Sequence, residues 1–174
     1  MKVPHFEHVD SSRIQAKFSS CNRHRATLLI PFHGRNEGKR LCIVGQNPSA
    51  ANEHHADKTI NFLERYVFEK LHEYNQILML NLYSRIDTKK IEASEVNHDE
   101  CDVLLRDAIA SNNDFLFVFG KLKNQRANKF SERVRELQPL FKGKATYKLD
   151  IKTAYAPHPG NRAIYYHNTN LAGC

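Results

Sequence analysis

The sequence predicts an α/β fold: three layers, α/β/α, around a central and mostly parallel four-stranded sheet, with an optional antiparallel edge strand ahead of it. Three observations carry this. From Leu41 onward, short apolar runs alternate with stretches whose apolar residues recur at three- and four-residue spacing, in the order β-α-β-α-β-α-β. The apolar runs lack polar alternation, as strands covered on both faces do. The length of 174 residues, with 41% hydrophobic and 26% charged residues, suits one domain around one core. Residues 1–174 therefore read as a single domain, with 1–22 as an N-terminal extension.

Ala26 to Phe32 reads as the optional edge strand, and His33-Gly34-Arg35-Asn36-Glu37-Gly38 as a turn able to reverse the chain. Leu41-Cys42-Ile43-Val44 is the first parallel strand and stops at Gly45-Gln46-Asn47-Pro48-Ser49. A helix follows from Asp57 or Lys58, since Ile60, Leu63, Val67, Leu71 and Tyr74 form a stripe at helical spacing. Ile77 to Tyr83 is the next strand. Asn97-His98-Asp99-Glu100 has capping-box spacing and leads a helix through Val103, Leu104, Ala108 and Ile109. Phe115 to Phe119 is a strand ended by Gly120; Phe130, Val134, Leu137 and Phe141 mark another helix, and Ala145 to Leu149 the last strand.

Composition narrows the function. No run approaches the ~18 apolar residues of a membrane span, and the first twenty residues mix charge with Pro4, His5 and His8. A cytoplasmic protein without a membrane is expected. The four cysteines, Cys21, Cys42, Cys101 and Cys174, form no Cys-x-x-Cys pair, which argues against structural zinc and a disulfide framework. The net charge of +7 is unevenly spread: residues 1–40 carry +5, residues 41–120 carry −6 and residues 121–152 carry +7. Lys121, Lys123, Arg126 and Lys129, with Arg23, Arg25, Arg35 and Arg40, then read either as a phosphate-facing surface or as a solvated face. On the first reading, Lys121, Lys123, Arg126 and Arg162 are the nucleic-acid contacts.

Open α/β sheets bind ligands beyond the carboxyl ends of their strands. The unusual polar segments fall there: 45–49, 81–85, 120–124 and 157–160. In the first, Gly45 permits a sharp turn, Pro48 fixes φ, and Gln46, Asn47 and Ser49 offer polar groups without charge. Such a loop holds a neutral polar group or a water, or satisfies its own backbone. Asn81 has the paired donor and acceptor that read a heterocyclic amide edge, and could equally cap a turn. Tyr83 stacks on a ligand or packs under a helix; the sequence does not separate these. In Ala156-Pro157-His158-Pro159-Gly160 the prolines restrict the backbone around an imidazole able to donate to developing negative charge. Asp57 is a helix-end acid or a carboxylate facing the site. His54 with His55, and His5 with His8, are weak metal-ligand pairs, so no metal is expected.

These residues carry a resemblance. Leu41 to Ala51, Asp57-Lys58-Thr59-Ile60, Leu80-Asn81-Leu82-Tyr83, Asn97 and Phe119-Gly120 resemble an uncharacterised bacterial and phage family with an Asn-Pro-Ser-Thr-Ala-Asp core, here with Ala50 in place of threonine. More distantly, Gly45-Gln46-Asn47-Pro48 and His158-Pro159-Gly160 resemble loops of the uracil-DNA glycosylase superfamily. That resemblance implies a glycosylase-like hydrolase without cofactor, acting or binding at an extruded or modified base. It would give Asn47 the attacking water, His158 the leaving base and Asn81 the base edge; Gly45, Gln46, Pro48, Ser49, Asp57, Tyr83 and Gly120 are the further substrate-binding candidates, by their place around the strand ends. Gly160 replaces a serine of that superfamily, and Asn161-Arg162-Ala163 stand where a leucine wedge is expected. The alternatives are a non-catalytic nucleic-acid-binding protein and an enzyme acting on a nucleotide.

Overall fold

The computed structural model describes residues 2–86, 97–120, 130–150, 153, 155–161, 164 and 170–173. Along the chain lie β1 (Lys2–Val3), β2 (Gln15–Phe18), β3 (Arg25–Pro31), β4 (Lys39–Gly45), β5 (Ala56–Asp57) and α1 (Lys58–Lys70). They are followed by β6 (Tyr74–Asn81), α2 (Asp99–Ser111), β7 (Asp114–Phe117), α3 (Phe130–Leu137), β8 (Ala145–Leu149) and β9 (Leu171–Gly173). Short 3-10 turns occupy Ser11–Arg13 and Gln138–Phe141.

Leu41 to Val44, the run without alternation, occupies the middle of the sheet. β4 pairs in parallel with β6 on one side and β7 on the other, and β7 pairs in parallel with β8. This is the parallel four-stranded centre that the sequence predicts. The sheet does not stop there. β3 adds antiparallel to β6, β2 to β3, and β9 to β8, giving seven strands in the order β2-β3-β6-β4-β7-β8-β9. It is a large mixed sheet rather than four strands with one edge added. A separate antiparallel pair joins β1 to β5.

Successive residues of β4 enter different cores because strand side chains alternate in direction. Leu41 and Ile43 pack in one cluster with Ile60, Leu63 and Val67 of α1. Cys42 and Val44 join the other, with Leu105 and Ile109 of α2 and Phe130 and Leu137 of α3. Each such aliphatic side chain contributes about 1.5 to 3 kcal/mol when fully buried.

The helices start and stop for local reasons. Asp57 caps α1, its Oδ1 accepting from Ile60 N–H at 2.8 Å. The helix ends at Leu71, whose N–H returns to Val67 O, so Tyr74 is not the end of the helical stripe. It opens β6 instead, and its hydroxyl donates to Asp114 Oδ1 at 3.0 Å. The expected capping box is not formed: Asn97 Oδ1 accepts from Ser84 N–H at 3.2 Å, and His98 precedes α2 without a side-chain cap. Pro139 cannot continue the hydrogen-bond ladder of α3, and Phe141 falls in the 3-10 turn beyond it. β6 and β7 end at Asn81 and Phe117, leaving Leu82, Tyr83 and Val118 to Gly120 in the connections.

The first residues are bound into this framework. Phe6, Val9 and Ile14 are buried in the α1 cluster. Glu64 of α1, fully buried, accepts from Phe6 N–H at 2.8 Å and lies 2.5 Å from His5 Nδ1. The other ring nitrogen, His5 Nε2, lies 2.9 Å from the Asn52 carbonyl. Among the described residues no helix is long and apolar enough to cross a membrane.

Candidate functional site

Because β4, β6 and β7 are parallel neighbours, their carboxyl ends open on the same side. A cleft of about 230 Å³ lies there, lined by Gly45, Gln46, Asn47 and Ser49 after β4, Asn81 at the end of β6, Val118 and Phe119 after β7, and His158. Asp57, Thr59 and Ile60 close it from the start of α1, and Arg25 and Met79 complete the wall. The cleft thus brings together Gly45, Gln46, Asn47, Ser49, Asp57, Asn81 and His158, which the sequence singles out.

Two glycines set the positions of the polar groups. Gly45 and Asn81 face each other in register, and a Cβ at position 45 would sit 2.8 Å from Asn81 Nδ2. The absence of a side chain at Gly45 is what admits the Asn81 carboxamide. Gly120 has φ +79°, and a Cβ there would lie 2.8 Å from His158 Cβ. Its N–H donates to Ala156 O at 2.9 Å, so it both turns the chain after β7 and holds the loop bearing His158.

His158 Nδ1 accepts from Gly160 N–H at 3.0 Å. The acceptor nitrogen cannot carry the proton, so the neutral ring carries it on Nε2 and presents a donor. Crowding by protein atoms holds the imidazole below the usual histidine range, and the charge of Asp57 opposes that shift. The residue is nevertheless exposed at the cleft mouth. Close neighbours strip hydration from a ring that solvent still reaches. The arrangement keeps a neutral N–H donor available at neutral pH.

Arg25, grouped in the sequence with phosphate-facing cations, is 2% exposed. Its Nη1 donates to Ala51 O at 2.7 Å and to Ser49 O at 3.4 Å, tying the loop after β4 to β3. Burial pulls its pKa down to about 10, against the opposing charges of Asp57 and Glu53. It is a positioning residue that sequence reading misses, as it does Thr59 and Met79. Thr59 had a signal in its place two residues after Asp57 at a helix start. Asp57 combines both sequence readings, capping α1 while lining the cleft.

Other expected residues lie elsewhere. Tyr83 is 2% exposed in the α2 and α3 cluster, and Pro48 is buried outside the cleft lining. Phe119 borders the cleft, yet its ring packs against Phe117 and Phe130. Lys121, Lys123, Arg126, Lys129 and Arg162 lie outside the described residues. Several remaining cations are structural. Arg35 donates to the carbonyls of Phe68, Leu71 and Tyr74 and lies over the Phe68 ring. Arg133 joins Asp102, Glu136 and the Leu82 carbonyl, and Lys144 Nζ donates to Asn112 O at 2.6 Å. Of the histidine pairs, His8 stacks on Phe68 while His5 faces Glu64, and the backbone N–H groups of His54 and His55 donate to Asn52 Oδ1. Among the described residues no three His, Cys, Asp or Glu side chains gather as metal ligands.

A fold and site of this kind define an α/β protein with a polar strand-end cleft. Residues 30–159 match the family of proteins of unknown function DUF1643, and the chain belongs to that family. No curated protein and no solved structure matches the chain.

Proposed function

We propose that the protein is an N-glycosylase-like hydrolase that accepts a nucleobase, extruded from nucleic acid or carried on a nucleotide, in the strand-end cleft. The observation that carries this reading is the tautomer of His158. A neutral Nε2–H donor, fixed by Gly160 and placed among the Asn47 and Asn81 carboxamides, suits a departing base whose oxygen gains negative charge. The placement of α1 against one core, and of α2 and α3 against the other, supports the α/β/α arrangement of such enzymes.

In the proposed reaction Asn47 and Gln46 orient a water, and its oxygen bonds to the anomeric carbon as the glycosidic C–N bond breaks. The bond pair leaves with the base, where His158 Nε2–H stabilises it. The proton lost by water passes to Asp57, the carboxylate of the cleft lining. Asn81 reads the amide edge of the base, and Arg25 keeps the Asn47 loop in place.

The departure at Asn161-Arg162-Ala163, where a leucine wedge is expected, favours a nucleotide or single nucleoside over a duplex. Among the described residues, Arg25, Arg35, Arg133 and Lys144 are committed to carbonyls and carboxylates of the protein itself. The test is incubation with oligonucleotides and nucleosides carrying normal, deaminated and modified bases, followed by mass analysis of released base. Release that depends on Asn47 and His158 is expected. Saturable binding without release across the panel would reject hydrolysis and leave a binding protein.

A further inference from the structure

A cluster of thiols and imidazoles lies apart from the cleft, where the turn Ser19–His24 meets the start of α2. Ser19 N–H donates to His24 O at 3.0 Å and Asn22 N–H to Ser19 O at 2.9 Å, curling the backbone tightly. Asn22 takes φ +56°, the left-handed conformation that a non-glycine residue adopts at a cost, and asparagine tolerates it best. The curl brings Ser19 Oγ to 3.2 Å from Cys21 Sγ, and Cys21 is exposed.

Cys101 lies in the first turn of α2, with 2% of its surface exposed. Ser20 N–H donates to Glu100 Oε2 at 3.4 Å, so the residues immediately before the two cysteines touch. The ring of His24 lies 5.3 Å from that of His98, a second contact between the same turn and the same helix start. The thiols also sense each other: burial holds the Cys101 thiol up, and Cys21 adds to that shift. The Cys21 thiol moves the other way, to about 7, through the Ser19 hydroxyl first and the Arg23 backbone N–H next. An exposed thiolate on a turn that touches the helix start bearing a buried thiol suits an attacking and a resolving cysteine.

We propose that Cys21 and Cys101 form a thiol pair that a hydroperoxide converts into an intramolecular disulfide, latching the Ser19–His24 turn to α2. The Cys21 thiolate attacks one peroxide oxygen; the O–O bond breaks, an S–O bond forms, and the other oxygen leaves as an alcohol or water after taking a proton. Cys101 sulfur then displaces the sulfenic oxygen. The S–S bond forms, and the oxygen departs as water with the Cys101 proton. Two thiols are oxidised and one hydroperoxide is reduced.

The latch would stand on the frame of the cleft. Ser84 Oγ lies 2.9 Å from His24 Nδ1 and accepts from His98 N–H at 3.0 Å, and Ser84 O accepts from Arg25 N–H at 2.9 Å. Arg25 in turn holds the Ser49 and Ala51 carbonyls. The thiol chemistry itself is independent of the reaction proposed for the cleft.

The test is peptide mapping of the intact protein after titration with hydrogen peroxide. A Cys21–Cys101 crosslinked peptide lacking two hydrogens is expected. Cys101→Ser should instead leave a Cys21 sulfenic acid that a cyclic 1,3-diketone traps, and Cys21→Ser should leave Cys101 unmodified. Iodoacetamide should alkylate Cys21 at pH 7 about three-fold faster than an unperturbed thiol. About half of it is thiolate at that pH, against roughly 3% of an unperturbed thiol, while the lower basicity returns part of the gain. Ser19→Ala should move the midpoint of that pH profile upward and slow disulfide formation. Crosslinks to Cys42 or Cys174, crosslinks only between two copies, or a Cys21 midpoint of about 8.5 would overturn the proposal.

Discussion

Replacing His5 with alanine isolates the contact that joins the first residues to α1. Both ring nitrogens of His5 face acceptors, Glu64 Oε1 at 2.5 Å and the Asn52 carbonyl at 2.9 Å, so the ring is held as the imidazolium. Burial works against that charge, but the Glu64 hydrogen bond and charge, with the Asn52 carbonyl, outweigh it and raise the His5 pKa. Glu64 is fully buried, and without His5 its carboxylate keeps Phe6 N–H as the donor described to it. Breaking one side of such a pair costs about 3 to 5 kcal/mol. His5→Ala with Glu64→Leu removes the stranded charge and leaves mainly the lost acceptor of Phe6 N–H, about 1 to 3 kcal/mol. The pH dependence has a definite sign. The native state binds the His5 proton more tightly than the unfolded chain, so this stability is complete below about pH 6.5 and falls as pH rises through the raised native pKa. One proton limits the slope to about 1.4 kcal/mol per pH unit. Urea unfolding of the wild type, the single variant and the double variant, at pH 6 and again at pH 9, measures all three quantities. Equal stability of the single and double variants, or a wild-type advantage over His5→Ala that grows with pH, would refute the reasoning.

Gly120→Ala puts a Cβ in the left-handed region and 2.8 Å from His158 Cβ; urea unfolding should show a loss of about 2 to 4 kcal/mol, whereas a loss below 0.5 kcal/mol would contradict the close approach. If the cleft releases bases, His158→Ala should lose turnover while far-ultraviolet circular dichroism stays unchanged. The wild-type rate should be flat through neutrality and fall only below about pH 6.5, since His158 acts neutral and its pKa lies below the ordinary value; a decline beginning at pH 8 would exclude that role. Arg133→Met takes donors from the Leu82 carbonyl, Asp102 and Glu136 at once, and thermal unfolding should report about 2 to 3 kcal/mol; an unchanged midpoint would place those contacts among weak surface pairs.

The parallel centre was legible because Leu41 to Val44, Ile77 to Leu80 and Phe115 to Phe117 are apolar without interruption, a pattern that burial on both faces requires. β2 and β9 were not. Gln15-Ala16-Lys17-Phe18 is short and mixed in polarity, Leu171-Ala172-Gly173 is only three residues of small or weakly strand-forming type, and they pair along the edges that β3 and β8 offer. The convergence of Asn47, Asn81 and His158 followed from strand ends sharing one side of a parallel sheet. Arg25 escaped because a cation ahead of an apolar strand reads as solvated. Its partners Ser49 and Ala51 are 24 and 26 residues away, and tertiary structure alone supplies their carbonyls. Tyr83 sits two residues beyond the last residue of β6, where strand alternation no longer dictates direction.

The order β3-β6-β4 bears on how the chain finds its fold. β3 and β4 are consecutive, joined by a loop containing Gly34 and Gly38, yet they never pair, because β6 is inserted between them. Loop-closure entropy favours the near partner, so a β3–β4 hairpin is the pairing most quickly sampled while the chain is short. It is non-native, and it occupies the edges that residues 74–81 need on both sides. Folding then requires that hairpin to open, or to be avoided, before the centre of the sheet can close around its last-arriving member. A strand order of this kind puts long-range pairing ahead of the nearest-neighbour hairpin, a topology that slows folding in general.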